Sequence, residues 1–330
     1  MTNMRIAVLL PCYNEEAAIA ATIASFRAVL PAAQIYVYDN NSSDATCAVA
    51  AAAGATVRSE RMQGKGNVVR RMFADVEADI YVIADGDATY DSAAAPAMIA
   101  QLIDDQLDMV VGARRSEVDA AYRRGHRFGN AMLTTMLAWA FGRSFSDILS
   151  GYRVFSRRFV KSFPVLSAGF EIETEISVHA LEMRMPVAEV VTAYAARPEG
   201  SVSKLSTYSD GWRILKTIVM LFRFERPLLF FGGLGGVLAA VAIGLAIPLI
   251  FTFFETGLVP RLPTALLATG LMLLAALNGF CGLILDTVVR GRREVRRLAY
   301  LAVPATGAAA SDTNPQRHEV PMTQMVASRG

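Results

Sequence analysis

Two carboxylates follow a short apolar run near residue 85. The uncharged run Ile80–Ala84 is followed by Asp85, Gly86 and Asp87. Such a run is typical of a parallel strand buried on both faces, so the carboxylates fall at its carboxyl end, where open α/β sheets bind ligands. Carboxylates at this spacing suit Mg²⁺ or Mn²⁺, which bind one or two protein carboxylates together with substrate phosphates. Gly86 allows a diphosphate to approach the backbone closely, although Asp-Gly is also ordinary turn chemistry.

Strands and helices alternate at short intervals around these carboxylates. The predicted strands cover 5–10, 34–38, 56–59, 80–84, 109–112 and an edge strand at 188–195. The alternation predicts an α/β fold with a mostly parallel sheet flanked by helices. Three polar loops, Pro11–Glu15, Asp39–Asp44 and Asp85–Asp91, then converge on one edge of the sheet, which indicates a nucleotide site. No glycine-rich dinucleotide fingerprint or P-loop signature is present, which argues against those two nucleotide-binding classes.

Four motifs in this order resemble family 2 glycosyltransferases, which have the GT-A fold. The motifs are Pro11–Glu16, Tyr38–Thr46, Gly64–Gly66 and Asp85–Asp87. The resemblance implies a nucleotide-sugar site and a metal, Mg²⁺ or Mn²⁺, on Asp85 and Asp87. The implied nucleotide-sugar residues are Pro11, Tyr13, Glu15, Asp39, Lys65, Asp85 and Gly86. Thr89 stands where such enzymes often carry Gln, which leaves one metal ligand open.

Two further motifs resemble polyprenol- and dolichol-phosphate glycosyltransferases. They are Asp147-x-x-Ser-Gly-Tyr-Arg153 and Arg197-x-x-Gly-Ser-x-Ser-Lys-Leu205. The resemblance implies that Asp87, Asp147 and Arg127 are catalytic, with Asp147 acting as a base or as an orienting group. The predicted acceptor-phosphate residues are Arg114, Arg127, Ser150, Arg153, Arg197, Ser203 and Lys204. The Gln-x-x-Arg-Trp motif of processive synthases is missing, which argues against chain polymerisation.

Some of these charged residues have a plain structural alternative. Arg123, Arg124 and Arg127 could form a solvated helix face. Glu171, Glu173 and Glu175 alternate in the sequence, so on a helix at most one or two of them enter a site.

Two long uncharged segments near the C-terminus predict a transmembrane hairpin. Residues 228–254 and 262–285 contain no charge, and each exceeds the ~20 residues that span the hydrocarbon core. Arginines precede the first segment and follow the second, at Arg290, Arg292, Arg293, Arg296 and Arg297. The positive-inside rule places the catalytic domain and both termini in the cytoplasm. A buried helical hairpin of a soluble protein is the alternative.

These patterns divide the chain into four regions. We predict a cytoplasmic GT-A domain over 1–205, an interfacial helix over 206–226, two transmembrane helices within 227–290 (about 228–254 and 262–286), and a basic, then disordered, tail over 291–330. Small residues spaced by four form a stripe that packs helices closely, either within the hairpin or between protomers of a homo-oligomer. The stripe consists of Gly232, Gly236, Ala240 and Gly244.

Composition adds few constraints. The 330-residue chain is 53% hydrophobic and 19% charged, with a net charge of +2, so no nucleic-acid partner is expected. Three scattered cysteines indicate a reducing compartment, and no signal peptide is expected.

Together these features predict an inverting, metal-dependent transfer of a sugar from a nucleotide-diphosphate sugar to a polyprenyl phosphate. UDP is favoured over GDP, and the reaction is placed at the cytoplasmic face of the inner (plasma) membrane, in cell-envelope glycan synthesis. The acceptor phosphate has a second pKa of about 6 and is largely ionised near neutral pH, so a general base is not required. Two alternatives are a different lipid acceptor, such as a diacylglycerol, and a membrane adaptor that binds nucleotide-sugar without turnover.

Overall fold

The computed structural model describes residues 4–115, 145–195, 220, 222–224 and 226–306. Within these residues one mixed sheet has the strand order β3-β2-β1-β4-β6-β5-β7. The strands are β1 (Ile6–Cys12), β2 (Gln34–Asp39), β3 (Thr56–Ser59), β4 (Ile80–Ile83), β5 (Met109–Arg115), β6 (Arg153–Ser156) and β7 (Val187–Ala193). Strands β1 to β4 are parallel, and β6 runs antiparallel between β4 and β5.

Helices cover both faces of the sheet. They are α1 (Ile19–Val29), α2 (Thr46–Ala52), α3 (Lys65–Asp75), α4 (Ala95–Asp104), α5 (Arg157–Ser162) and α6 (Ile172–Glu182). Apolar side chains of α1 and α4 pack on one face, and those of α3, α5 and α6 pack on the other. All four residues of β4 are buried, as expected for a strand covered on both faces. The carboxylates after β4 therefore leave the core at the edge of the sheet.

Strand β6 was not predicted, whereas the edge strand β7 was. β6 begins with Arg153, and a charge at the start of an apolar run is a poor signal for a central strand. Arg153 is nevertheless 1% exposed, and the whole strand is buried. The sheet is therefore mixed at its centre, where the local sequence gives little indication of strand direction.

Two long apolar helices form an antiparallel hairpin, α7 (Pro227–Thr256) and α8 (Leu262–Leu301). Both are long and apolar enough to cross a membrane, and 11% of the most apolar window of each is buried. Their contact uses small residues seven positions apart: Gly235 and Ala242 on α7, and Ala268, Ala275 and Gly282 on α8. A Cβ added at Gly235 would lie 2.9 Å from the Ala275 carbonyl oxygen.

The predicted stripe of small residues does not form this contact. A Cβ added at Gly232, Gly236 or Gly244 would meet nothing within 4 Å. The alternative that the stripe packs within the hairpin is therefore wrong, because Gly235 and Ala242, spaced by seven, fill that role on α7.

Helix α8 continues well past the predicted end at residue 286. It runs to Leu301, so the arginine-rich segment forms its last turns and not a separate tail. The predicted interfacial helix over 206–226 lies largely outside the described residues, as does the predicted tail beyond 306.

Candidate nucleotide-sugar site

The loops after β1 and β2 are joined by hydrogen bonds. The Asn14 backbone N–H donates to Ser42 Oγ at 2.8 Å, and Ser43 N–H donates to Asn14 Oδ1 at 2.8 Å. The Glu15 N–H donates to Thr46 Oγ1 at 2.8 Å. Asn14 has φ +52°, a conformation that Asn tolerates better than most residues. The predicted convergence of these two loops is confirmed.

Asp39 lies at the base of these loops with one carboxylate oxygen unsatisfied. The residue is 5% exposed, and its Oδ2 accepts the Ser42 N–H at 3.1 Å. Oδ1 is buried and has no hydrogen-bond partner among the described residues. Burying a carboxylate oxygen without a donor is costly, so this atom is suited to accept a hydrogen bond from a ligand.

Asn40 connects the β2 loop to the start of α3. Its Nδ2 donates to the carbonyl oxygens of Glu60 and Met62 at 2.9 and 2.8 Å, and its Oδ1 accepts the Gly64 N–H at 2.7 Å. The buried Asn40 side chain therefore helps to hold the segment before Lys65 against the loops that follow β1 and β2.

Lys65 sits between two carboxylates. Its Nζ lies 2.5 Å from Asp85 Oδ1 and 2.6 Å from Glu173 Oε1, and its side chain is 11% exposed. Burial alone would lower the pKa of Lys65, but the charges of Asp85 and Glu173 outweigh it and raise the pKa. A fixed positive charge therefore lies at the carboxyl end of β4.

Glu173 enters this site, and the sequence pattern alone could not select it. Of the three alternating glutamates, Glu171 is exposed, and Glu175 accepts the backbone N–H groups of Leu166 and Ser167 at 2.8 and 2.7 Å. Glu173 is 6% exposed. The buried side chain at the start of α6 is the one that faces Lys65.

The glycines on either side of Lys65 permit a close approach of α3 to the chain before α6. A Cβ at Gly64 or Gly66 would overlap the carbonyl oxygens of Ala168 and Ser167. The Gly66 and Asn67 N–H groups donate to the carbonyls of Gly169 and Ala168 at 3.2 and 3.3 Å. The first turn of α3 is thus bonded to the segment that leads to Glu173.

Asp87 is oriented by Thr89. Asp87 is 3% exposed, and its Oδ1 accepts the Thr89 hydroxyl at 2.6 Å and the Thr89 N–H at 3.2 Å. Thr89 therefore supports this carboxylate in the position where similar enzymes often carry Gln. Gly86 is required by a protein contact, because an added Cβ would overlap Cys12 Sγ at the end of β1.

The donor set at this edge fits a divalent cation that shares its shell with a substrate. The described residues contain no group of three or more His, Cys, Asp or Glu side chains that could hold a metal alone. Mg²⁺ and Mn²⁺ commonly take only one or two protein carboxylates and complete their shell with phosphate oxygens and water. Asp85 and Asp87 supply carboxylates of that number and type.

The motif Asp147–Arg153 contributes its backbone to this site. A Cβ added at Gly151 would lie 2.9 Å from Asp85 Oδ2 and 3.0 Å from Lys65 Nζ. The Gly151 N–H donates to the hydroxyl of Tyr90 at 2.9 Å. Burial and the nearby charge of Asp85 raise the pKa of Tyr90, so this hydroxyl stays neutral. Gly151 and Tyr90 are site residues that the sequence analysis missed.

Ser150 and Arg153 are corrections to the predicted acceptor-phosphate set. Ser150 is fully buried and its hydroxyl donates to the Gly112 carbonyl at 2.6 Å. The Arg153 guanidinium donates to the carbonyls of Ser150, Ile148 and Glu173 at 2.9, 2.6 and 3.0 Å. Its burial lowers the pKa to about 10. The Arg153 side chain holds β6 against α6, and the Ser150 hydroxyl holds the segment before β6 against β5. Both side chains are therefore closed to a phosphate.

Arg114 and Asp147 form an ion pair at the end of β5. Arg114 Nε and Nη2 donate to Asp147 at 2.7 and 2.8 Å, and the Arg114 N–H donates to the same carboxylate at 3.2 Å. Burial would raise the pKa of Asp147, but the bonds from Arg114 outweigh it and lower the pKa. A carboxylate with a lowered pKa is a weak proton acceptor, so this geometry favours the orienting role for Asp147.

Four predicted acceptor residues, Arg127, Arg197, Ser203 and Lys204, lie outside the described residues. Of the predicted nucleotide-sugar residues, Pro11 lies near the end of β1, and Tyr13 (37% exposed) and Glu15 (8% exposed) belong to the joined loop that follows β1.

The sequence model of the family described as Glycosyl transferase family 2 matches residues 7–163. The chain is 31% identical over 291 residues to glycosyltransferase AglJ of Haloferax volcanii, across 88% of this chain and 95% of the relative. The chain belongs to glycosyltransferase family 2. This glycosyltransferase is also 26% identical over 221 residues to a dolichyl-phosphate hexose transferase of Haloferax volcanii, across 67% of this chain and 95% of that relative.

A solved structure supports the fold of this glycosyltransferase. Glucosyl-3-phosphoglycerate synthase of Mycobacterium tuberculosis, in complex with Mn²⁺, UDP and glucosyl-3-phosphoglycerate, has a TM-score of 0.54 over 67% of this chain and 79% of that chain. The identity is 24%, so this likeness shows the fold alone. The predicted GT-A fold is confirmed.

Proposed function

We propose that this glycosyltransferase transfers a sugar, with inversion, from a UDP-linked donor to a polyprenyl phosphate at the cytoplasmic face of a membrane. The observation that carries the proposal is the cluster of Asp85, Lys65 and Glu173 at the carboxyl edge of β4, next to the joined nucleotide loops. The relative named dolichyl-phosphate hexose transferase supports the acceptor class, and the UDP complex of the fold neighbour supports the donor class.

The donor half of the reaction follows from the buried charges. Asp39 Oδ1, which has no partner among the described residues, is suited to accept an N–H of the nucleoside. Lys65 contributes a fixed positive charge close to the diphosphate. A divalent metal on Asp85 and Asp87 would supply Lewis-acid stabilisation of the departing diphosphate. Because Thr89 orients Asp87 before any ligand arrives, little reorganisation is needed at this position.

The acceptor half requires orientation more than proton transfer. A phosphate monoester is largely ionised near neutral pH, so its oxygen can attack the anomeric carbon without a base. Arg114, held by Asp147 and lying 5.5 Å from the ring centroid of Tyr194, presents a guanidinium of defined orientation at the rim of the site. We propose that Arg127, Arg197, Ser203 and Lys204 complete the phosphate contacts.

The hairpin of α7 and α8 supports a membrane acceptor. We propose that both helices span the membrane, that the catalytic domain and both termini are cytoplasmic, and that the exposed small-residue stripe mediates homo-oligomer contacts. An acceptor with a long prenyl tail stays in the bilayer, so an enzyme anchored beside it meets the phosphate at the membrane surface.

The deciding experiment is a product analysis with the full chain in lipid vesicles. Vesicles with polyprenyl phosphate, or with diacylglycerol, are incubated with a panel of nucleotide sugars, and the lipids are examined by mass spectrometry. We expect a glycosylated polyprenyl phosphate that requires Mg²⁺ or Mn²⁺ and is lost in the Asp87→Asn variant. Glycosylation of diacylglycerol instead would refute the acceptor, and full activity in chelator would refute the metal.

A further inference from the structure

The last turns of α8 are bonded to the catalytic domain through a buried carboxylate. Glu182, at the end of α6, has a side chain that is 1% exposed. Arg293 Nε lies 2.5 Å from its Oε1, and Arg296 Nη1 lies 2.6 Å from its Oε2. The two arginines are three residues apart and therefore share one face of α8. Both oxygens of the Glu182 carboxylate are thus bound by the helix that continues from the apolar hairpin.

A second buried carboxylate, that of Asp108, holds α8 at Tyr300, seven residues after Arg293. Asp108, whose side chain is fully buried, accepts hydrogen bonds from the hydroxyl of Tyr300 at 2.8 Å and from Arg158 Nε at 2.6 Å. The Arg158 guanidinium also lies 4.8 Å from the centroid of the Tyr300 ring. We call the contacts of Glu182 and Asp108 with α8 the docking clamp.

The docking clamp is connected to the active site by α6. Glu173, at the start of this 11-residue helix, binds Lys65, and Glu182, at its end, binds Arg293 and Arg296. A helix of this length transmits position as a rigid element. The apolar part of α8 is therefore linked to Asp85 at the edge of β4 in two steps. The end of α8 binds Glu182 of α6, and α6 carries Glu173, which shares Lys65 with Asp85.

We propose that the docking clamp fixes the height and orientation of the catalytic site above the membrane, and that Glu182 and Asp108 are positioning residues for the acceptor reaction. The proposal rests on the proposed function, because it needs an acceptor in the bilayer. With the clamp closed, the site is held where a phosphate at the membrane surface can reach the donor. With the clamp open, the catalytic domain stays folded and binds donor, but its distance from the acceptor varies.

The test compares a membrane-embedded acceptor with a water-soluble one. Arg293→Gln combined with Arg296→Gln removes the α8 side of the first contact, and Tyr300→Phe removes one hydrogen bond of the second. Arg292→Gln combined with Arg297→Gln is the matched control, because it removes the same charge from exposed positions of the same segment. Arg293→Lys combined with Arg296→Lys keeps the charge and is the rescue variant.

We measure transfer to polyprenyl phosphate in vesicles, transfer to a short-chain, water-soluble prenyl phosphate, and donor affinity by calorimetry. For the Gln pair we expect a loss of at least 10-fold in kcat/KM with the embedded acceptor. Donor affinity and transfer to the soluble acceptor should change less than 2-fold. Tyr300→Phe should show a smaller loss of the same kind, the Lys pair should recover most activity, and the control pair should match the parent.

Three results separate the possibilities. If the parent chain transfers no sugar to polyprenyl phosphate, the proposed function fails. If the parent is active and the Gln pair matches it with the embedded acceptor, the positioning role fails. Equal losses with both acceptors, or a parallel loss of donor affinity, would show that the clamp only stabilises the fold, and would also overturn the proposal.

Discussion

At the scale of single residues, Lys65 has the most constrained surroundings in the site. It is paired with Asp85 and Glu173, and Gly151 approaches both Lys65 and Asp85 closely enough that a Cβ there would meet them at about 3 Å. The two carboxylates compete for one ammonium group. Any change in Glu173 therefore changes how much of the Lys65 charge is directed at Asp85 and at a bound diphosphate.

We expect Glu173→Gln to impair turnover. The substitution replaces the carboxylate by a neutral amide and so weakens a charge-assisted contact of Lys65 worth roughly 1.5–3 kcal/mol, which corresponds to a loss of up to ~150-fold in kcat/KM. Initial rates with a fixed acceptor measure the effect. Glu171→Gln, at an exposed position one residue before α6, is the control and should leave the rate unchanged. Parent-like kinetics for Glu173→Gln would exclude the proposed role of this carboxylate.

His179 gives the folded chain a pH-dependent stability. It is 2% exposed, its two ring nitrogens have no hydrogen-bond partner among the described residues, and it packs against Phe159 and Phe163 at ring-centroid distances of 5.4 and 5.1 Å. Burial, together with the charge of Arg296, lowers its pKa to about 3. Between pH 6.5 and 3 the unfolded state binds more protons at this residue, so stability falls as the pH is lowered through this window.

The His179→Phe variant should lose less stability on acidification. At pH 5 the buried, neutral His179 lowers the free energy of unfolding by about 2 kcal/mol relative to neutral pH. The figure is ~1.4 kcal/mol for each of the 1.5 pH units below 6.5. Thermal unfolding in detergent at pH 7, 6 and 5 measures the difference in stability between parent and variant. Both proteins have the same carboxylates, so the effect of their protonation cancels in this difference. An identical pH dependence of the two unfolding temperatures would contradict the buried, neutral state of His179.

At the scale of elements, the active site depends on the contact between α3 and the segment before α6. The glycines of the Gly-Lys-Gly motif make this contact possible, because the carbonyls of Ser167 and Ala168 occupy the space of their missing side chains. The motif therefore has a packing function in addition to placing Lys65. The contact also brings the N-terminal ends of α3 and α6, with Lys65 and Glu173, together.

We expect Gly66→Ala to destabilise the protein by roughly 1–3 kcal/mol, the usual cost of overpacking a core contact. Gly291→Ala is the matched control, since it is also in a helix and its added Cβ would meet nothing within 4 Å. That control should be neutral or stabilising by up to ~1 kcal/mol, from helix propensity. Thermal unfolding of both variants tests this, and equal shifts would contradict the close approach of α3 to Ser167.

At the scale of the whole molecule, the docking clamp and the distribution of arginines point to the same orientation. Arg293 and Arg296 bind the catalytic domain, so the end of α8 and the active site lie on one side of the hairpin. Between the uncharged parts of α7 and α8 the only charged residues are Glu255, in the last turn of α7, and Arg261, just before α8. From the positive-inside rule we predict that the catalytic domain lies in the cytoplasm and the turn outside.

Reporter fusions test this topology. A reporter after Gly330 should give a cytoplasmic signal, and one inserted at Gly257, in the turn, should give an external signal. The physical reason is that five arginines follow the apolar part of α8, and moving them across the membrane is unfavourable. The reverse pattern of signals would exclude a cytoplasmic active site.

The sequence by itself determined the fold class, the approximate positions of six strands, the edge position of β7 and the three polar loops that bear Asp39 and Asp85. These features are encoded locally, by hydrophobic periodicity and by short motifs at strand ends. It also predicted the two apolar helices, because a long uncharged run is a property of composition.

Only the tertiary structure decided which charges are chemical and which are structural. The sequence does not distinguish the roles of Arg153 and Glu173, yet Arg153 is enclosed by backbone carbonyls and Glu173 binds Lys65. Strand β6 and the docking clamp likewise depend on distant partners, since β6 pairs with β4 and β5 and Tyr300 bonds Asp108, 192 residues away in the chain. The environment of a charge is set by such distant groups, so burial, hydrogen bonding and pKa follow from the fold and not from the local sequence.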